Sequence, residues 1–271
     1  MRALVSGAMW RFAAASTVGV SHVRDDLPCQ DAHQCKLVPS LGGQILIVVV
    51  SDGAGSAAES AQGAAYICGE LIVQIEKVLP TVSDPASFDW LRDSVVRTRD
   101  GLIAKADHLG LPPRELAATL LCAVLAPGWS AFAQVGDGAI VTPEAGTETW
   151  SWLFWPERGE YANTTSFLTD PAALDKLQID TLSQAQYEIA IFTDGLQHLV
   201  LKYEDQTVHS PYFERMMGSV RNSSVNGEDE ALSFDLAKYL SSAPVSSRAD
   251  DDLTLVLASR VATGSNVAAT S

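Results

Sequence analysis

The run Ile45-Leu46-Ile47-Val48-Val49-Val50 breaks off at Ser51-Asp52-Gly53. A continuous stretch of β-branched and leucine side chains reads as a strand buried on both faces. Gln44 to Ser51 therefore has to lie inside a layered core, and the aspartate that follows puts a charge at its rim. The pattern returns where Ile189-Ala190-Ile191-Phe192 leads into Thr193-Asp194-Gly195. It returns in reverse where Asp250-Asp251-Asp252 precedes Leu253-Thr254-Leu255-Val256-Leu257. Gln30-Asp31 and Gly136-Asp137-Gly138 add two more acids. Carboxylates gathered at one rim repel unless cations lie between them. The residues alone point to a multi-metal hydrolase.

The other elements fall around these motifs. Trp10 to Val20 reads as an opening strand. Ser56-Ala57-Ala58-Glu59 has the form of a capping box. It would start a helix over Ala57 to Leu79, with Ala64, Cys68, Leu71 and Ile75 on its apolar stripe and Pro80 at its end. Phe88 to Leu109 reads as a second helix, ended by Gly110 and Pro112. Ala117 to Ala126, Ser130 to Val135 and Ala139 to Thr142 read as strands joined by turns at Pro127-Gly128 and Asp137-Gly138. Glu148 to Phe154 is a further strand, and polar Pro156 to Thr169 suits a loop over a site. Tyr187 to Thr193 and Leu253 to Ser259 are strands; Pro211 to Met217 and Asp229 to Leu240 are helical. Strands outnumber helices without strict alternation, which argues α+β layers. One domain over residues 1–260 is expected, with the small, polar tail 261–271 disordered.

A formal net charge of −15 disfavours nucleic acid as a partner. It permits a phosphorylated substrate where metals reverse the sign locally. No apolar run is long enough to span a membrane, and Met1 to Val5 is too short and mixed for a signal-peptide core, so a cytoplasmic protein is expected. Cys68 and Cys122 read as small core residues. Cys29, His33 and Cys35 lie close together, but no CxxC pair supports zinc. Trp150, Trp152, Phe154 and Trp155 read as sheet packing, with a lid or docking surface as the alternative.

Taken singly, an Asp-Gly pair is a common turn. Six motifs in order are more specific: Cys29-Gln30-Asp31-Ala32, Val50 to Ser56, Thr119-Leu120-Leu121, Val135 to Gly138, Phe192 to Gly195, and Asp251 to Thr254. Their order and spacing resemble the metal-dependent phosphatases of the protein phosphatase 2C family, particularly compact bacterial members, from about Trp10 to Ser259. The resemblance implies a β-sandwich of two antiparallel sheets flanked by helices, with a metal cleft at one end. It implies that Asp52 bridges two metals, that Asp194 and Asp251 complete the first, and that the Gly53 carbonyl binds the second. Asp31 would contact the second metal directly or through water. Asp137, with Asp194, resembles a pair that holds a weaker third metal.

Oxygen-only ligands suit Mn2+ or Mg2+ rather than zinc or copper. Two such ions share a water and lower its pKa, giving a hydroxide for in-line attack on phosphorus. The expected catalytic set is Asp31, Asp52, Asp194 and Asp251, acting as a protein serine/threonine phosphatase within a kinase pathway, as a monomer. The Cys-x5-Arg and GxxxxGK[ST] phosphate loops are absent. The chain departs from the family in three places. Gln30 replaces a Glu of a Glu-Asp pair, and Ala54 stands where eukaryotic members often have His. The substrate-binding Arg is displaced, Asp26 occupying its position and Arg24 lying nearest. His22 and His33 read as solvated or structural. Thr119 reads as a support for the rim. These departures motivate the alternative of a catalytically silent module that binds phosphoproteins. A two-metal nuclease is a third reading, disfavoured by the lack of a basic stripe.

Overall fold

The computed structural model describes residues 7–156 and 165–261. The expected disordered tail from residue 262, and residues 157–164 of the expected loop, lie outside the described residues. The first strands are β1 (Met9–Thr17), β2 (Ala32–Ser40), β3 (Gly43–Ser51), β4 (Leu120–Leu125), β5 (Ser130–Val135) and β6 (Ala139–Pro143). There follow β7 (Trp150–Trp152), β8 (Gln178–Leu182), β9 (Glu188–Phe192), the short pair β10 (Leu201–Lys202) and β11 (Thr207–Val208), then β12 (Gly227–Glu228) and β13 (Leu253–Val261). One sheet runs β12-β1-β13-β9-β6-β7 and the other β2-β3-β4-β5-β8. Pairing is antiparallel throughout both sheets except between β1 and β12.

Alternation along the strands sorts apolar side chains into three layers. Leu46, Val48 and Val50 of β3 face Trp10, Phe12 and Val256 of the other sheet, with Phe132 and Ile191 between them. Ile45, Ile47 and Val49 face outward under α2 (Ser60–Val78) and α3 (Asp89–His108), whose Ile67, Leu71, Leu91 and Leu102 are fully buried. On the opposite outer face, Leu255, Leu257 and Phe192 pack under α5 (Ser210–Asn222) and α6 (Glu230–Leu240). The result is a helix–sheet–sheet–helix sandwich. Buried runs such as Ile45–Val50 are apolar at every position because both faces of the strand meet a core.

Several expectations need correction. The opening strand ends at Thr17, and Val20–Arg24 forms a short helix, α1. The capping box does not form. The α2 helix begins at Ser60, and the Glu59 side chain caps nothing. Instead the Ala58 N–H donates to Glu115 Oε2 (3.0 Å) and the Glu59 N–H to the Glu115 carbonyl (2.9 Å), so a tertiary partner takes the donors a local cap would have served. The helix α5 runs on to Asn222. The strands β2 and β8 carry mixed polar sequences on partly exposed sheet edges, which hides them from a periodicity search.

The depth of the middle layer makes a direct prediction. Phe132→Ala should cost about 3–5 kcal/mol in urea unfolding, whereas Leu41→Ala, at a side chain 95% exposed, should be close to neutral. Equal effects would overturn this account of the core.

Candidate metal centre

Strand register brings the acids to one end of the sandwich. Ala32 lies opposite Ser51, Leu120 opposite Val135, Thr17 opposite Leu253, and Phe192 opposite both Leu255 and Ala139. The residues just beyond these pairs are Asp31, Asp52, Asp137, Asp194 and Asp251. Asp31 and Asp52 flank strands of the five-stranded sheet, and Asp194 and Asp251 flank strands of the six-stranded one. Asp137 sits in the turn from β5 to β6, which joins the two sheets. The site is therefore the seam where both sheets end.

Asp52, Asp137 and Asp194 each place a carboxylate oxygen within 4.8 Å of the other two. Asp251 belongs to a neighbouring group with His22 and Asp252. Asp137, assigned above to a weaker third metal, lies in the same trio as Asp52. Asp251 is exposed and lies outside that trio. Its charge still reaches all three, raising the pKa of Asp52, Asp137 and Asp194.

Burial first and mutual repulsion second push these groups up. The Asp194 carboxyl rises to about 6, with a hydrogen bond to Asp52 acting the other way. Asp52 rises well above the carboxylate range through burial and the charges of Asp31, Asp194, Asp251 and Asp137. Burial lifts Asp31 to about 7 against two opposing hydrogen bonds. Those bonds are donated to Asp31 Oδ2 by the hydroxyls of Thr193 and Thr254, each at 2.8 Å. Its Oδ1, and Oδ1 of Asp137, are buried without a partner. A buried carboxylate oxygen with no donor is costly, and a hard divalent cation is the ligand that satisfies it. The donor set thus fits such an ion.

Hydroxyl groups position the acids. The Asp52 N–H donates to Thr119 Oγ1 (2.9 Å), the Thr119 N–H returns to the Asp52 carbonyl (2.8 Å), and Ser51 Oγ donates to the Thr119 carbonyl (2.6 Å). This makes specific the support expected of Thr119. Thr254 Oγ1 also meets Ser16 Oγ (2.7 Å), which in turn meets His33 Nδ1 (2.8 Å). Thr165 Oγ1 donates to Asp137 Oδ2 at 2.5 Å. Gln197 Nε2 donates to the Asp137 carbonyl and accepts the Tyr203 hydroxyl at Oε1. Tyr203 packs on Trp155, and Trp155 on Trp152, so the aromatic cluster props up the Asp137 turn. Sequence reasoning gave none of these hydroxyls except Thr119 a role. The one available signal was a Thr or Ser within three residues of each motif acid other than Asp31 and Asp137.

Asp252 has a different task. It is 2% exposed and its oxygens are taken by the N–H groups of Gly19 (2.6 Å) and Gln30 (2.5 Å) and by His22 Nδ1 (2.9 Å). His22 is thus structural, as is His33. Gly53 has a packing reason beyond metal approach: a Cβ there would lie 2.7 Å from the Gln30 carbonyl oxygen and 2.9 Å from Ser60 Cβ. At Gly195 a Cβ would lie 2.2 Å from the Asp252 carbonyl oxygen, so a second acid-bearing loop presses on the Asp194 turn. Arg24 is largely exposed and binds Asp25 at 3.0 Å. Its expected grip on substrate requires it to leave that partner. Cys29 does not join a metal group with His33 and Cys35. Its thiol is pushed up by burial and by Asp252, away from the thiolate that zinc needs.

Comparison with known proteins comes to the same place. The sequence model described as Protein phosphatase 2C matches residues 18–241. Serine/threonine-protein phosphatase 3 of Escherichia coli (strain K12) is 36% identical over 252 residues, covering 92% of this chain and 98% of that protein. A crystal structure of a bacterial serine phosphatase superposes with a TM-score of 0.61 at 15% identity, covering 92% of this chain and 96% of that one. Serine/threonine phosphatase Stp1 from Staphylococcus aureus gives 0.59 at 16%, covering 96% and 98%. At those identities the two structures speak for the fold. Among the described residues, no helix is long and apolar enough to cross a membrane.

The raised acids set a pH dependence. Between the ordinary carboxylate pKa of 3.8 and about 6 to 7, the native state holds protons on Asp194 and Asp31 that the unfolded chain releases. Their stabilisation is therefore complete below that window and lost as pH rises through it. With chelator present, Tm should fall from pH 5 to pH 8, less steeply in Asp31→Asn; parallel slopes in the two proteins would refute the assignment. Thr254→Val should weaken Mn2+ binding by about 10–100-fold in calorimetry, with Thr254→Ser restoring most of it. Unchanged binding in the valine variant would remove Thr254 from the site.

Proposed function

Because this chain belongs to the protein phosphatase 2C family and is a serine/threonine-protein phosphatase within it, we propose that it removes phosphate from phosphoproteins with divalent cations held by Asp52, Asp137, Asp194, Asp251 and Asp31. The observation that carries this reading is the convergence of three carboxylates within 4.8 Å at a rim where Asp31 and Asp251 add their charges to that felt by Asp52. Two Mn2+ or Mg2+ ions held by these acids would lower the pKa of a water to make it nucleophilic and offset charge on the phosphoryl oxygens.

The protein's own groups do the positioning. Asp52 is central, being the acid on which all four others act, and Thr119 fixes its backbone from both sides. Thr193 and Thr254 occupy Oδ2 of Asp31 and leave its buried Oδ1 without a protein partner, open to a cation. The Gly53 carbonyl, one residue beyond Asp52, would complete the oxygen set. The leaving serine or threonine oxygen needs a proton. Ala54 has none to give, and the Nδ1 atoms of His22 and His33 are engaged by Asp252 and Ser16. Solvent in the cleft supplies it. Arg24 is the candidate to meet the substrate phosphate, exchanging Asp25 for it. The silent-module alternative has no support in this geometry, since a module that only binds has no use for a tightly packed group of repelling acids.

Phosphate release from a phosphoserine peptide or p-nitrophenyl phosphate should require added Mn2+ or Mg2+ and stop with chelator. Asp52→Asn should lower kcat/KM by about 10²-fold or more while raising the Tm of the metal-free protein, because a buried like charge is removed. Full activity in that variant would end the proposal.

A further inference from the structure

The short helix α1 has its polarity reversed. It buries His22 and leaves Val20 and Val23 exposed at 46% and 63%. Val18 and Leu27, on either side, are 42% and 41% exposed. A chain that hides an imidazole and shows its valines gives up apolar burial, so a function for the displayed face is the natural explanation.

The segment is held firmly. Asp252 takes the N–H groups of Gly19 and Gln30 as well as the His22 ring. Both the N–H and hydroxyl of Ser21 donate to the Asp250 carbonyl, at 2.9 and 2.7 Å. The helix closes with the Leu27 N–H on the His22 carbonyl (2.8 Å) and Asp26 in the left-handed region at φ 57°. The four side chains are therefore displayed on a fixed base, which lowers the ordering cost of binding. The base abuts the metal-site acids. The Asp251 backbone packs so closely on Gly19 that a Cβ would lie 2.3 Å from its carbonyl carbon.

We propose that Val18, Val20, Val23 and Leu27 form a shelf beside the cleft that receives an apolar side chain of the substrate polypeptide adjacent to its phosphorylated residue. This rests on the phosphatase reading above. Continuity with the acid rim selects the occupant: a chain whose phosphate enters the cleft must cross one of its borders, and this border is apolar. Charge refines it. Asp26 and Asp250 are exposed at the shelf's margin, and the whole chain carries −15, so a Lys or Arg beyond the apolar residue is favoured.

The experiment compares two substrates on wild type, Val23→Ser and Val23→Glu, all with Mn2+. One is p-nitrophenyl phosphate, which carries no polypeptide to lay across the shelf. The other is a phosphoserine peptide with leucine beside the phosphoserine and lysine beyond it. KM for the peptide should rise about fivefold in Val23→Ser, the scale of re-exposing half of one apolar side chain, and further in Val23→Glu. In Val23→Ser, which adds no charge beside Arg24, the constants for p-nitrophenyl phosphate should stay within about twofold. Replacing the peptide's leucine with alanine should raise wild-type KM and leave the variants little further to lose. Parallel changes on both substrates would show a structural role and overturn the proposal, as would no change on either. A shift in sedimentation from dimer to monomer without a change in peptide KM would make the face a contact between copies and overturn it too. Wild type inactive on both substrates would instead overturn the phosphatase mechanism itself.

Discussion

Repulsion among carboxylates at the seam of the two sheets is the constraint around which the rest is arranged. Asp52 feels four other acids, and nothing in the apolar layers beneath can screen them. Such an arrangement destabilises the metal-free protein, and it persists because the strands that carry it are fixed elsewhere. Leu46, Val48 and Val50 in one sheet and Trp10, Ile191 and Val256 in the other are locked by close packing. The acids then sit where strand register leaves them. Strain concentrated at a functional rim and offset by a well-packed interior is a common division of labour.

Within that rim, neighbouring aspartates have separate tasks. Asp250 offers its carbonyl to Ser21, Asp251 adds negative charge to the cleft, and Asp252 spends its carboxylate on two peptide N–H groups and an imidazole. Hydrogen bonds to a buried carboxylate are worth about 1.5–3 kcal/mol each, enough to hold a short helix with an apolar outer face. The three residues look interchangeable in the sequence; in the fold Asp252 is buried while Asp250 and Asp251 stay exposed.

The sequence made the layers legible because buried β-runs leave a continuous apolar signature, and the acid at each run's end pointed to the candidate metal centre. It exposed less of what supports that site. Thr193 and Thr254 stand inside motifs read for their aspartates, and their bonds reach Asp31 across gaps of 162 and 223 residues that no local pattern records. The capping box at Ser56 failed for the same reason: Glu115, distant in sequence, took the N–H groups of Ala58 and Glu59. Helix α1 went unseen because five residues carry no periodicity and its buried face is a histidine. The closeness of Asp137 to Asp52 as well as to Asp194 is set by the β5–β6 turn and has no local sequence signature.

The bonds from Thr193 and Thr254 to Asp31, like that from Ser16 to His33, run from one sheet to the other. The carboxylate spacing is thereby a gauge of how far apart the two halves of the sandwich stand. A change of side-chain volume deep in the middle layer would move the gauge without touching any ligand. The spacing of acids at the candidate metal centre thus depends on packing in the middle of the molecule.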